Sequence, residues 1–97
     1  MRVRVISASV YRQEYQLMLA QLRATRENAG LTQYDLARLL GRSQSYVGKC
    51  ELGERRLDLV QLRDFCRAMN VPFLSFVQQF EAAIDKADIA TPPSEEK

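Results

Sequence analysis

The sequence of 97 residues contains no histidine and no tryptophan, only two cysteines, and few helix-breaking residues, with four glycines and three prolines. Without histidine the chain lacks the most common general base and metal ligand, so most hydrolase and zinc-site mechanisms lose their central residue. We therefore expect no enzymatic activity, no metal site and no cofactor. The length suits one small domain with a single core.

The two cysteines, Cys50 and Cys66, have a spacing that fits neither a zinc knuckle nor a disulfide scaffold. Both fall on apolar stripes, and we expect them to be small buried hydrophobic residues rather than redox sensors. Such cysteine usage is typical of a reducing, cytoplasmic compartment. No apolar run approaches the roughly 18 residues of a membrane span, and no signal peptide is recognisable.

Charge is unevenly distributed, although the net charge is only +2. Residues 1–57 contain ten basic and five acidic side chains, a balance of +5, and residues 58–97 contain four and seven, a balance of −3. This asymmetry favours a basic face that binds a polyanion, with an acidic remainder that keeps the molecule soluble.

Apolar residues at intervals of three and four predict an all-α domain over residues 11–86. Before it, residues 1–10 alternate like a strand, but a single strand has no partner, so this arm is left unassigned. After it, we expect residues 87–97 to form a disordered tail. Helices are predicted over about 11–28, 33–40 and 44–52, with a fourth capped by Asp58 and ended by Asn70-Val71-Pro72, and a fifth that has Pro72 in its first turn.

Capping residues define the two short central helices. Thr32 is a good N-cap, and Asp35 three residues later completes a capping box. Ser43 is the N-cap of the next helix. Gly41 and Gly53 suit the ends of the two helices, where a residue of positive φ is common. Two brief helices therefore flank a very tight turn.

The segment 33–52 has the spacing of a helix-turn-helix. Ala37 must be small because the two helices cross closely there, and Gly41 suits the turn. Apolar residues occupy the fourth, eighth, fifteenth and eighteenth positions of this segment, namely Leu36, Leu40, Val47 and Cys50.

Around this spacing the sequence resembles the Xre-type, lambda-repressor-like (Cro-type) family of DNA-binding domains over about residues 12–80. The resemblance implies a bundle of four or five helices whose third helix enters the major groove of double-stranded DNA. The residues that carry it are Leu22-Arg-Ala-Thr-Arg-Glu-Asn-Ala-Gly-Leu-Thr-Gln33, Leu36-Ala37, Leu40-Gly41, Ser43-Gln-Ser45, Lys49, Glu51 and Gly53.

The resemblance also assigns roles to side chains. Phosphate contacts are expected from the start of the second helix and from the ends of the third, because free helix N–H groups and arginines favour anions. An ion pair between Arg26 and Glu51 is expected to tie the first helix to the third. The expected base contacts are Gln44, Ser45, Tyr46 and Lys49, and the expected phosphate contacts are Thr32, Gln33, Arg42, Ser43, Arg55 and Arg56.

Three positions depart from the family pattern: Thr25 replaces a core leucine, Arg42 replaces an apolar residue, and Gly48 replaces a serine inside the third helix. Gly48 is the most unexpected of the three, since a mid-helix glycine costs about 1 kcal/mol relative to alanine. It either allows close approach of DNA or of a neighbouring helix, or is simply tolerated.

The fifth helix has an apolar stripe that suits either the core or a dimer interface. The stripe consists of Phe73, Phe76, Val77 and Phe80. The predicted function is that of a sequence-specific transcriptional regulator, a repressor that binds a pseudo-palindromic operator as a homodimer. The alternative is a protein-interaction module on the same fold, such as an antitoxin or another regulatory partner-binding protein.

Overall fold

A computed structural model describes the backbone of residues 8–87 and the side chains from residue 13 onward. This part of the chain is all-α, as predicted, and contains five helices in the expected order. They are α1 (Ala8–Asn28), α2 (Gln33–Leu40), α3 (Gln44–Leu52), α4 (Leu59–Ala68) and α5 (Phe73–Ala87). Within these residues, no helix combines the length and the apolar character that a bilayer crossing requires.

The ends of α1 and α5 differ slightly from the prediction. α1 begins at Ala8, three residues before the predicted start, so residues 8–10 belong to the helix rather than to the arm. Ala8-Ser9-Val10 contains no helix breaker, and the alternating pattern there is too short to override a long helix that follows directly. α5 extends to Ala87, the first residue of the predicted tail. The remaining arm and tail predictions fall outside the described residues.

The predicted caps of α2 and α3 are confirmed. The Thr32 hydroxyl accepts a hydrogen bond from the Asp35 backbone N–H at 3.0 Å, and the Asp35 carboxylate accepts one from the Thr32 N–H at 2.9 Å. The Ser43 hydroxyl accepts from the Tyr46 N–H at 3.1 Å. Gly41 and Gly53 end the helices at φ 67° and 83°, the left-handed region in which an L side chain is strained.

The cap of α4 is also confirmed and is stronger than predicted. The Asp58 carboxylate accepts from the Gln61 N–H at 2.8 Å, and the Gln61 side chain accepts from the Asp58 N–H at 2.9 Å. At the other end, Asn70 adopts φ 62°, the position that glycine fills after α2 and α3. Asparagine tolerates this conformation better than most residues.

A single core forms where α1 and α4 cover the pair α2 and α3. Its fully buried side chains include both cysteines, as predicted, and burial raises the pKa of Cys66 to about 11, so the thiol is not ionised near neutral pH. The largest of these side chains are Leu22, Leu36, Val47, Cys50, Phe65 and Cys66.

α5 closes the core mainly through the aromatic residues of its stripe. Phe76 is 2% exposed and belongs to the core, so the predicted dimer surface loses its central side chain. Phe73 and Phe80 are half-buried against the same core. Val77 is 38% exposed and Leu74 is 75% exposed. The free apolar surface of α5 is thus narrower than the stripe, because helical geometry turns Phe76 inward.

Candidate nucleic-acid interface

The helix-turn-helix consists of α2, the turn at Gly41–Ser43 and α3. The two helices make close contact with each other, and α1 packs on α3 while α4 packs on α2. Ala37 is 3% exposed at the crossing, where a larger side chain would separate the helices. The outer side of α3, opposite the buried Val47 and Cys50, is the surface left open to a partner.

The expected ion pair between Arg26 and Glu51 is present and buried. Arg26 donates from Nε to one Glu51 oxygen at 2.6 Å and from Nη2 to the other at 3.1 Å. Its third nitrogen donates to the Leu31 carbonyl at 2.8 Å. The two side chains are only 8% and 4% exposed, and the hydrogen bond with Glu51 raises the pKa of Arg26. This bidentate contact ties α1 to the end of α3 and to the loop before α2.

A chain of amide side chains continues from this ion pair to the start of α3. Gln33 donates from Nε2 to Glu51 Oε1 at 2.9 Å. Gln33 Oε1 in turn accepts from Gln44 Nε2 at 2.8 Å. These two bonds fix which end of each amide carries the donor. In the described part of the chain, the Gln44 carbonyl oxygen and its second N–H have no further partner, so one acceptor and one donor remain free side by side.

Gly48 provides the space for this amide pair. A Cβ placed on Gly48 would lie 3.3 Å from Gln33 Oε1 and 3.5 Å from Gln44 Nε2. The first distance is closer than ordinary van der Waals contact. The mid-helix glycine is therefore explained by the close approach of two side chains from α2 and α3.

The four side chains predicted to contact bases do not share one environment. Gln44 is half-buried, whereas Ser45 and Lys49, one helical turn apart, are exposed on α3. Tyr46 is half-buried and packs on Phe65, with 6.2 Å between ring centroids. Its ring also lies beneath two arginine side chains, so it faces the edge of the domain more than the open side of α3.

The candidate phosphate contacts surround α3. Arg42 and Arg55 are exposed and lie over the Tyr46 ring at 4.2 Å and 5.0 Å. Thr32 and Ser43 are exposed at the N-termini of α2 and α3. Hydrogen bonds from Thr32 hold the pKa of Asp35 below its usual range, so this carboxylate is ionised and already occupies one N–H at the start of α2.

Arg56 lies apart from the other candidates. Its guanidinium is 4.3 Å from the centre of the Tyr15 ring on α1, and the Tyr15 hydroxyl accepts from the Leu57 N–H at 3.2 Å. Tyr15 therefore holds the loop between α3 and α4, a role that sequence reasoning missed. The available signal was a tyrosine, with its polar tip, in the apolar stripe of α1.

Comparisons with known proteins agree with this geometry. The helix-turn-helix domain family matches residues 18–72. An XRE-family like protein from Pseudomonas syringae pv. tomato str. DC3000 is similar in structure, with 40% identity and a TM-score of 0.74 over 77% of this chain and 92% of that chain. The chain belongs to the XRE-type helix-turn-helix family. A comparison with curated protein sequences finds no match.

Two more distant structures share the fold. The clp gene regulator ClgR from C. glutamicum is 21% identical, with a TM-score of 0.65 over 73% of this chain and 92% of that chain. The wild-type restriction-modification controller protein C.Esp1396I is 22% identical, with a TM-score of 0.69 over 75% of this chain and 95% of that chain. The predicted all-α, lambda-repressor-like architecture is thereby confirmed.

The buried ion pair generates a prediction about stability. Replacement of Arg26 by methionine keeps the aliphatic contacts but leaves the Glu51 carboxylate buried without its cation, so we expect a loss of about 3 kcal/mol in the free energy of unfolding. Arg23→Met is the matched control on the same helix, because Arg23 pairs with Glu27 in solvent and its removal should cost at most about 0.5 kcal/mol. Urea denaturation measures both variants. Equal effects would contradict a structural role for the buried pair.

Proposed function

We propose that this chain is a sequence-specific transcriptional repressor that binds double-stranded DNA as a homodimer on a pseudo-palindromic operator. The observation that carries the proposal is the Gln33–Gln44 amide pair, which leaves one donor and one acceptor free at the start of α3. A helix-turn-helix presents this end of its second helix to base edges in the major groove. The proposed activity is recognition without chemistry.

The free groups of Gln44 match the major-groove edge of adenine. Its carbonyl oxygen can accept from adenine N6, and its remaining N–H can donate to N7. Because the other N–H is already bonded to Gln33, the amide is oriented before DNA arrives, and binding costs less rotational freedom. Ser45 and Lys49 supply further contacts to neighbouring base edges or to the adjacent backbone from the exposed side of α3.

Phosphate contacts hold the proposed register without reading sequence. Thr32, Gln33 and Ser43 lie at helix N-termini, where hydroxyls and free N–H groups suit an anion. Arg42 and Arg55 add positive charge on either side of α3. Arg56 was predicted to contact phosphate as well. Its position on Tyr15 favours a contribution through the loop, which it helps to hold against α1.

The proposed dimer uses α5. Leu74 and Val77 are the large apolar residues of this helix that are exposed, and a second copy of the chain would cover them. A two-fold symmetric pair would place its two recognition helices on half-sites roughly 34 Å apart. The two distant relatives are named as a regulator and a controller protein, which accords with such a role, but they share the fold alone.

Selection of bound sites from a random duplex library tests the function. We expect a palindromic site bound at least about a thousandfold more tightly than a scrambled duplex, by fluorescence anisotropy at two salt concentrations. Weak, salt-sensitive binding that ignores sequence would contradict the repressor function and favour the protein-interaction module.

Gln44 provides the prediction for sequence discrimination. Gln44→Ala removes the proposed adenine contact, so we expect discrimination at that base pair to fall by about 1–3 kcal/mol per half-site. Anisotropy on the selected site and on a duplex with that base pair changed measures the decrease. Gln79→Ala, which removes an exposed amide from α5, should leave both affinities unchanged. Unaltered discrimination in Gln44→Ala would refute the contact.

A substitution at Gly48 should change stability and operator affinity in opposite directions. Alanine favours a helix interior by up to about 1 kcal/mol, but its methyl group would lie 3.3 Å from Gln33 Oε1 and shift an amide that also bonds Glu51, so we expect Gly48→Ala to raise the free energy of unfolding by less than that. Operator affinity should fall in the same variant, because the new methyl group displaces the Gln33 amide that orients Gln44. Thermal denaturation and anisotropy measure the two effects. Wild-type affinity in a folded, stabilised variant would show that the pair tolerates the methyl group.

Val77 tests the dimer. A glutamate at position 77 would place a charge in the proposed apolar contact, so we expect Val77→Glu to weaken dimerisation at least tenfold, about 1.4 kcal/mol. The neighbouring Gln78→Glu adds the same charge at an exposed polar position and serves as the control. Sedimentation velocity over a concentration series gives both constants. The α5 interface is disproved if the two variants self-associate equally.

A further inference from the structure

Tyr46 connects three side chains that lie far apart in sequence. Its ring packs on Phe65 of α4 at 6.2 Å and a tilt of 43°. The guanidinium of Arg42 lies 4.2 Å from its centroid, and that of Arg55 lies 5.0 Å from the same centroid. Arg42 precedes the N-cap of α3, and Arg55 follows its C-terminal glycine, so one aromatic ring collects cations from both ends of the recognition helix.

Neither Arg42 nor Arg55 forms an ion pair with a carboxylate of the described side chains. Within the described side chains, no acidic group lies within ion-pair distance of Arg42 or Arg55, in contrast to the surface arginines Arg23 and Arg38, which pair with Glu27 and Asp35. Two guanidinium groups held beside one ring repel each other. The electron-rich ring face offsets part of this repulsion, and an anion bound between or beside them would offset the rest.

The Tyr46 hydroxyl is a less suitable contact for DNA. The residue is half-buried, and burial raises the pKa of its phenol, with the nearby Cys50 adding to the shift. The phenol is therefore neutral at physiological pH, and its hydroxyl lies near the thiol of the buried Cys50. What the residue presents to the outside is the ring face, which the two arginines already cover.

We propose that Tyr46 is a positioning residue that holds Arg42 and Arg55 as a two-arginine clamp on the DNA backbone, rather than a residue that reads a base. This inference rests on the proposed DNA-binding function and deepens it, since it assigns the phosphates flanking α3 to one preorganised pair. It revises the base contact predicted from the sequence. The ring accounts for the role, and the hydroxyl does not contribute.

Arg56 lies in the same loop as Arg55 but is not part of the clamp. Although it is adjacent to Arg55, it turns to the Tyr15 ring on α1 and also has a further interaction of its own. The two neighbouring arginines thus lie on two different tyrosines. Among the described side chains, Arg55 shares the Tyr46 ring with a second cation, Arg42, so the clamp consists of Arg42, Tyr46 and Arg55.

The experiment measures affinity for the selected operator and for scrambled duplex across a salt series, by fluorescence anisotropy. Tyr46→Phe keeps the ring, and we expect affinity within about twofold of wild type. Tyr46→Leu removes the ring, so affinity should fall about tenfold on both duplexes, with the specificity ratio unchanged. The slope of log affinity against log salt should also become smaller. Each phosphate contact that the variant loses should reduce it by about one.

A double-mutant cycle separates positioning from a general structural effect. Arg42→Ala and Arg55→Ala should each weaken both duplexes equally and reduce the salt slope, whereas Arg63→Ala, an exposed arginine on α4, should change neither. Adding Tyr46→Leu to the Arg42→Ala/Arg55→Ala variant should weaken binding little further, because the ring then has no arginine to position. These arginines are exposed, so their variants test the phosphate contacts of the clamp even where Tyr46→Leu fails to fold.

Several outcomes would overturn the clamp. A selective decrease of specificity in Tyr46→Leu would show that the residue reads a base. An equal decrease of affinity in Tyr46→Phe and Tyr46→Leu would show that the hydroxyl contacts DNA. Wild-type affinity in both arginine variants would remove the phosphate role. If the wild-type protein itself ignores sequence, the proposed repressor function fails, a result distinct from the other three.

Discussion

The buried contact between Arg26 and Glu51 is the constraint on which the rest of the interface depends. Two charges with almost no exposure are stable only because every nitrogen of Arg26 and both oxygens of Glu51 are bonded. The pair joins α1 to the end of α3, and through the Leu31 carbonyl it also fixes the loop that leads into α2. The crossing of α2 and α3 is therefore set by a polar contact with strict geometry as well as by the apolar core.

The ion pair also determines the orientation of the Gln33 and Gln44 side-chain amides, which lead from it to the surface. Glu51 accepts from Gln33, so the Gln33 oxygen must face Gln44, and the remaining donor and acceptor of Gln44 are left in a defined order. A lone surface glutamine would rotate freely and would have to give up that entropy on binding. This arrangement lowers the helix propensity of α3, because the glycine at position 48 that leaves room for the two amides favours a helix less than alanine does.

The sequence predicted those features that depend on near neighbours. Thr32, Ser43 and Asp58 cap their helices, since a cap is a contact over two or three residues. It did not predict which ring each of the arginines Arg55 and Arg56 contacts, because that choice depends on where α1 and α3 lie in space. Likewise, the sequence shows an apolar stripe on α5. It does not show that Phe76 is the residue of this stripe that is fully buried in the core.

The distribution of carboxylates explains how a chain of net charge +2 can present a basic surface. Asp35 and Asp58 are bonded to helix N-termini, Glu51 is buried with Arg26, and Glu27 pairs with Arg23. Acidic groups bonded within the fold contribute little field at the outer side of α3, where Arg42, Lys49 and Arg55 have no carboxylate partner among the described side chains. Local pairing, more than net charge, thus decides which face attracts a polyanion. A substitution that frees one of these carboxylates near α3 would weaken that field.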